Sequence, residues 1–173
     1  MLIYLQMIES NEDKSKFEQI YHQYYRLMFH VARKFLRSEQ DAEDAVHHAF
    51  VKVAENITKI SEPVCPKTKA YVVIIVENTC INILRRQQRR SQVPLTEEAV
   101  GTSVSYDGDD GLVKSIMQLP PKQRQVILLK YHQGYDLREI AKMLDMTYAA
   151  AVKTEQRAKA KLKTLCEEGG VPV

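Results

Sequence analysis

Apolar positions recur at steps of three and four along most of the chain, the spacing of amphipathic helices, and no segment alternates long enough to predict a sheet. A short apolar stretch over 2–8 opens the chain as a helix. The next helix is expected over 14–35, with Phe17, Ile20, Tyr21, Tyr24, Leu27, Met28, Val31 and Phe35 on its apolar side. Ser38-Glu39-Gln40-Asp41 has the form of a capping box, in which a hydroxyl and a carboxylate satisfy orphan backbone donors. Behind it Ala42, Ala45, Val46, Ala49, Phe50, Val53, Ala54 and Ile57 give the cleanest amphipathic pattern in the chain. Pro63 and Pro66 place a loop over 60–67. A helix over 68–90 follows. One face reads Ala70, Val73, Ile74, Cys80 and Leu84; another reads Tyr71, Ile75, Asn78, Asn82, Arg85 and Arg89.

Residues 91–111 hold Pro94, Gly101, Gly108, Gly111 and a cluster of acids, the composition of a flexible linker and the expected domain boundary. This divides the chain into a domain over 1–90, a linker over 91–111 and a second domain over 112–173. The second domain begins with a helix through Leu112, Val113, Ile116 and Met117. Pro120-Pro121 breaks it and primes the next helix, expected to run to Gln133, with Gly134 at its C-cap. Asp136-Leu137-Arg138-Glu139 is a second capping box, opening a helix to about Leu144. Asp145-Met146-Thr147 makes a turn, and Thr147 caps a last helix over 148–165. The expected fold class is all-α: two small helical domains joined by a flexible acidic linker, the second carrying a helix-turn-helix whose last helix suits the major groove.

Charge sharpens this picture. The formal net charge is only +3, but it is sorted along the chain. Residues 67–90 carry six Lys/Arg against one acid, 91–111 carry none against five, and 112–165 carry eleven against four. Two basic segments flanking an acidic one suggest two nucleic-acid contacts joined by a segment that avoids phosphates. Cys65, Cys80 and Cys166 form no CxxC pair, which argues against disulfides and structural zinc and fits a reducing cytosol. MLIYLQMIES lacks a basic n-region and acids follow it at once, so no signal peptide is expected. No run approaches the ~18–20 apolar residues of a membrane span, so no membrane insertion is expected. GxxxxGK[ST], HExxH and GxSxG are absent, and His47-His48 point apart on a helix with no third ligand. Neither an enzyme activity nor a cofactor or metal is called for.

AEDAVHHAF at 42–50, AYVVIIVENTCINILRR at 70–86 and LPPKQRQVILLKYHQGYDLREIAKML at 119–144 resemble, in this order, three motifs of the extracytoplasmic-function sigma factors, the small two-domain class of bacterial initiation factors. The resemblance covers almost the whole chain. It implies that the first domain (region 2-like) binds the polymerase clamp and melts the −10 element, while the second (region 4-like) reads the −35 element through its last helix. Core-binding residues would be Asp44, His47, His48 and Val51, with His47-His48 standing where the family has Gln-Glu. The −10 contact would use Tyr71, at the family's Trp place, with Asn78, Asn82, Arg85, Arg86 and Arg89. The resemblance puts Asn78 at the position that reads a flipped base, with the 60–67 loop as the pocket rim. An aromatic, amides and guanidiniums on one face are also the combination that holds single-stranded DNA.

The −35 contact would use Tyr148, Lys153, Thr154, Arg157 and Lys161, with Ala149–Ala151 permitting close approach to thymine methyls. The family's G-T-V-K-S-R fits here in two registers. Without a gap, Ala150 takes the Thr place and Lys153 the Ser place; shifted by one, Val152-Lys153-Thr154 matches V-K-S. The implied partners are core RNA polymerase, through the clamp and flap of its large subunits, promoter DNA and an anti-sigma factor. The factor would be a monomer when free, cytoplasmic, and nucleoid-associated when active.

Other readings of the residues stand beside this one. A helix-turn-helix regulator would explain 112–165 and would dimerise on a palindromic site, but it leaves the Asn/Arg face of 68–90 without a role. A helical protein that sequesters a partner has no use for two segregated basic segments. A nuclease would need clustered acids or a His/Cys set to hold a metal.

Overall fold

A computed structural model describes residues 1–91 and 111–168. Its helices are α1 (Leu2–Gln6), α2 (Asn11–Phe35), α3 (Glu39–Glu55), α4 (Pro66–Ser91), α5 (Gly111–Met117), α6 (Pro121–Ile127), α7 (Leu137–Met143) and α8 (Tyr148–Glu168). No strand occurs among the described residues. The expected linker lies, apart from its end residues, outside the described residues. The chain divides into two compact units, Met1–Thr96 and Glu97–Val173.

In the first unit α2, α3 and α4 pack against one another. Ser38 caps α3, its Oγ accepting from the Asp41 N–H at 3.3 Å, but only this half of the expected capping box forms: the Asp41 carboxylate accepts from Gln87 instead. The alanines of α3 are buried, which lets the neighbouring helices approach closely around the bulky Phe17, Ile20, Phe50 and Met28. Phe50 is the centre of an aromatic cluster: its ring lies 5.9 Å from Phe17, 4.8 Å from Tyr21 and 6.0 Å from Tyr4. Tyr4 and Ile8 are buried and fasten the N-terminal segment to this cluster, while Leu2 and Ile3 face outward. The loop before α4 is pinned by hydrogen bonds: Thr68 Oγ1 donates to the Glu62 carbonyl at 2.6 Å and the Tyr24 hydroxyl to the Cys65 carbonyl at 3.2 Å.

Helix α4 departs from its expected two-faced form. Every residue from Ala70 to Ile81 is buried. The reason is visible in AYVVIIV: a stretch apolar all round has no side to offer to water and goes inside as a whole.

In the second unit Leu119, Ile127 and Ala158 form a buried cluster, with Leu162 and Leu165 packed against it. Asp136 and Glu139 complete the expected capping box: Asp136 Oδ1 accepts from the Glu139 N–H at 2.8 Å, and Glu139 Oε2 accepts from the Asp136 N–H at 2.9 Å. Thr147 Oγ1 accepts from the Ala150 N–H at 3.2 Å and so caps α8. Gly134 has φ +82°, the left-handed conformation that suits a helix C-terminus and a residue without Cβ. Asp145, in the turn between α7 and α8, adopts φ +51°, a region that short polar side chains tolerate. The helix expected to run to Gln133 does not stay regular. After α6 it widens into a π turn, Leu128–His132, closed by the Gln133 N–H donating to the Leu128 carbonyl at 3.0 Å. Substituting Asp136→Ala removes one acceptor that serves two backbone donors, Arg138 and Glu139. It should cost about 1–2 kcal/mol in the urea unfolding of the full chain; a change near zero would mean that water replaces the cap without loss.

Candidate nucleic-acid and protein interfaces

The helix-turn-helix is built from α7 and α8. Packing decides which side of α8 points out. Ala151, Glu155, Ala158 and Cys166 are buried, so residues on the opposite side of a 3.6-residue repeat face solvent. Of the expected −35 residues, Tyr148, Lys153, Arg157 and Lys161 are exposed and Thr154 is half-buried on a flank. The Arg138 guanidinium lies 5.9 Å from the Tyr148 ring centroid, so Tyr148 leans on α7 at the rim of the face. The exposed face is cationic and begins at the helix N-terminus, where base edges are usually met, with Arg157 and Lys161 further along, where phosphates are held.

The inner face holds a group that the charge pattern does not single out. Glu155 is 6% exposed and is the one acid of α8 before Glu167 and Glu168 at its end. Its Oε1 accepts from Lys130 Nζ at 2.7 Å, from the Tyr131 hydroxyl at 2.6 Å and from Lys159 Nζ at 3.0 Å. Burial by itself would raise the carboxyl pKa; the hydrogen bonds from Lys130, Tyr131 and Lys159 outweigh it and bring the value down to about 2. Lys130 and Tyr131 belong to the π turn, so Glu155 locks the π turn to α8 and sets the rotation of the outer face. The sequence does hold a signal for it: Glu155 shares helical spacing with Ala151 and Ala158.

On α4 the expected −10 residues separate into two groups. Arg85, Arg86 and Arg89 are exposed, and Asn82 is half-buried beside them. Tyr71 and Asn78 are 1% and 0% exposed. They do not share an open face with the arginines, which corrects the single ligand-facing surface expected from spacing. The all-round apolar run of α4 carries them inside. In the preceding loop Val64 is 46% exposed. Unanticipated is a polar tie between α4 and α3: Gln87 Nε2 donates to Asp41 Oδ2 at 2.9 Å.

On α3, Asp44, His47 and His48 are exposed and Val51 half-buried. Each histidine is already oriented. His48 Nδ1 lies 2.7 Å from the Asp44 carbonyl, an acceptor, so this nitrogen carries the proton. His47 Nδ1 is hydrogen-bonded to the Tyr4 hydroxyl at 2.6 Å, which joins α1 to α3. Burial pushes the Tyr4 phenol up to about 12, aided by Tyr21 and Tyr25, so it stays protonated and able to donate. Cys80 is fully buried; desolvation, with the charge of Glu77 behind it, pushes its thiol up to about 12, so it carries no reactive thiolate near neutrality. No helix among the described residues is long and apolar enough to cross a membrane.

Comparison with known proteins agrees with this architecture. Residues 20–90 match the family model of sigma-70 region 2, and residues 110–162 that of sigma-70 region 4. The chain is 24% identical over 155 residues to the ECF RNA polymerase sigma factor SigM of Mycobacterium tuberculosis, covering 88% of this chain and 78% of that protein. It is 26% identical over 123 residues to the RNA polymerase sigma factor SigV of Bacillus subtilis, covering 69% and 70%. Among solved structures, the sigma factor RpoE in complex with the anti-sigma factor NepR from Bartonella quintana matches 87% of this chain and 96% of that chain, at 19% identity and a TM-score of 0.41. A region 2 followed by a region 4 defines a transcription initiation factor. The chain belongs to the sigma-70 family, in its extracytoplasmic-function class, whose members are non-catalytic: they bind core RNA polymerase and direct it to the −10 and −35 elements of promoters.

Proposed function

We propose that the first unit carries core-polymerase binding and −10 opening, and the second unit −35 recognition, with the surfaces divided as follows. The exposed face of α3, through Asp44, His47, His48 and Val51, meets the polymerase clamp; acidic groups there suit arginine partners. The exposed end of α4, through Asn82, Arg85, Arg86 and Arg89, holds the −10 strand by amide and phosphate contacts. Tyr71 and Asn78 support that helix from inside. The outer face of α8, through Tyr148, Lys153, Thr154, Arg157 and Lys161, enters the major groove at the −35 element, and the second unit also meets the polymerase flap. The observation that carries this reading is the cationic outer face of α8, set by the burial of Ala151 and Glu155 on its other side. From its family we further propose that the protein is a monomer when free, is held by an anti-sigma factor, and works in the cytoplasm on the nucleoid.

Two measurements test the division of labour. With core polymerase added, Arg157→Ala should lower the slope of log affinity against log salt by about 0.9 for −35 DNA, the loss of one phosphate contact; an unchanged slope would remove Arg157 from the interface. Replacing Arg85, Arg86 and Arg89 together by Ala should reduce strand opening at the −10 element, read by permanganate reactivity, with core-polymerase binding retained. Loss of polymerase binding with opening unaffected among the bound complexes would reverse the assignment of α3 and α4.

A further inference from the structure

The packing of α8 isolates one side chain that the charge pattern conceals. Opposite the buried Ala151, Glu155 and Ala158 lie Ala149, Lys153, Gln156 and Ala160, all exposed. Gln156 stands on the flank of this face, next to Ala160 and Lys153, which lie more directly opposite the buried side. Of the residues one and two turns away on its own side, Ala160 and Ala149 are small, while Lys153 and Lys163 are long and cationic. Lys153, Arg157 and Lys163 surround it, and all are exposed. These cations only donate hydrogen bonds, whereas a carboxamide both donates and accepts. The hydroxyl on the same side, Thr164, is turned back onto its own helix, donating to the Ala160 carbonyl at 3.3 Å. The Gln156 carboxamide is committed to no other described residue. A lone amide, flanked by alanines and ringed by cations, has the form of a base reader between phosphate clamps.

We infer that Gln156 is a specificity-determining residue of the −35 contact, reading adenine in the major groove. Its Oε1 accepts from the adenine N6 amino group while its Nε2 donates to N7, the bidentate pairing open to a carboxamide and to no other base edge in the same orientation. Glu155 acts as a positioning residue for this contact, because its bonds to Lys130 and Tyr131 hold the rotation that turns Gln156 outward. The inference rests on the proposed −35 role of α8.

The test uses the full chain assembled with core bacterial polymerase and a promoter on which that holoenzyme initiates, with the −35 segment randomised and transcribed molecules sequenced. The wild-type selection should show an adenine position favoured by roughly tenfold or more over the other bases. Gln156→Ala should flatten that one position and leave the rest of the element, and Gln156→Arg should convert it to guanine, the partner of a guanidinium fork. A wild-type −35 preference that Gln156→Ala leaves unchanged, or a loss confined to a position that is not adenine, overturns the inference while keeping the −35 role of α8. Absence of any −35 preference in the wild type overturns both.

Discussion

Phe50→Ala is expected to destabilise the first unit by about 3–5 kcal/mol, a loss comparable to the whole stability of a small domain. Phe50 is 0% exposed. Its ring is the hub at which α1, α2 and α3 meet, within 4.8 Å of Tyr21, 5.9 Å of Phe17, 6.0 Å of Tyr4 and 6.3 Å of Tyr25. Truncation removes transfer free energy, leaves a cavity among rigid rings, and forfeits the geometric gain of several aromatic pairs at once. Because Tyr4 leans on the same ring, α1 should detach, and the Tyr4–His47 hydrogen bond should go with it. Urea unfolding of the full chain, followed by NMR at first-unit resonances, measures the effect. Phe50→Leu, which keeps most of the apolar volume, should cost clearly less. A loss below about 1 kcal/mol for the alanine variant would mean that the aromatic cluster collapses freely and that Phe50 is not its hub.

The second large effect lies at Glu155 and depends on pH. Its carboxyl has a pKa of about 2 in the folded protein against an ordinary 4.5. A group depressed on folding stabilises the fold above the ordinary value, and that contribution is lost as pH falls through the folded value. Wild-type stability of the second unit should therefore decline between about pH 4.5 and pH 2. Glu155→Gln keeps the shape but removes the charge that Lys130, Tyr131 and Lys159 share. At pH 7 it should cost about 1–3 kcal/mol, less than a fully enclosed ion pair because Lys130 and Lys159 remain partly in water. The variant should lack the wild-type decline, so the two curves converge near pH 2. NMR-detected urea unfolding at α8 amides across this range decides it; parallel curves would show that Glu155 is not the titrating group. The same substitution should blur −35 preference without touching a base, since it frees the rotation of α8.

Local chemistry makes much of the fold legible in the sequence. The Asp136–Glu139 box, the Thr147 cap, Gly134 and the proline pairs mark element boundaries through interactions spanning only a few residues, and short spacing is what a sequence displays. The face of α4 is legible only in part. Where an apolar run fills every side of a helix, periodicity loses its contrast, and spacing sets Tyr71 and Asn78 beside the arginines when they belong inside. The π turn has no local composition signal, so a helix regular to Gln133 is the simpler expectation. Glu155 shows a different limit. Counted with the charges it looks like one acid diluting a basic helix; its role depends on Lys130 and Tyr131, a separation along the chain that spacing alone does not join. Gln156 is hidden among cationic neighbours in the sequence, and only burial shows that it falls on the outer half of α8.

Start-site mapping tests the central claim most directly. Core bacterial polymerase would transcribe genomic fragments with and without this protein, and RNA 5′ ends would be sequenced. The account predicts new, discrete start sites that appear only with the protein and share two upstream elements at constant spacing. Binding to core polymerase without any new start site would contradict it, and so would start sites with no shared upstream elements.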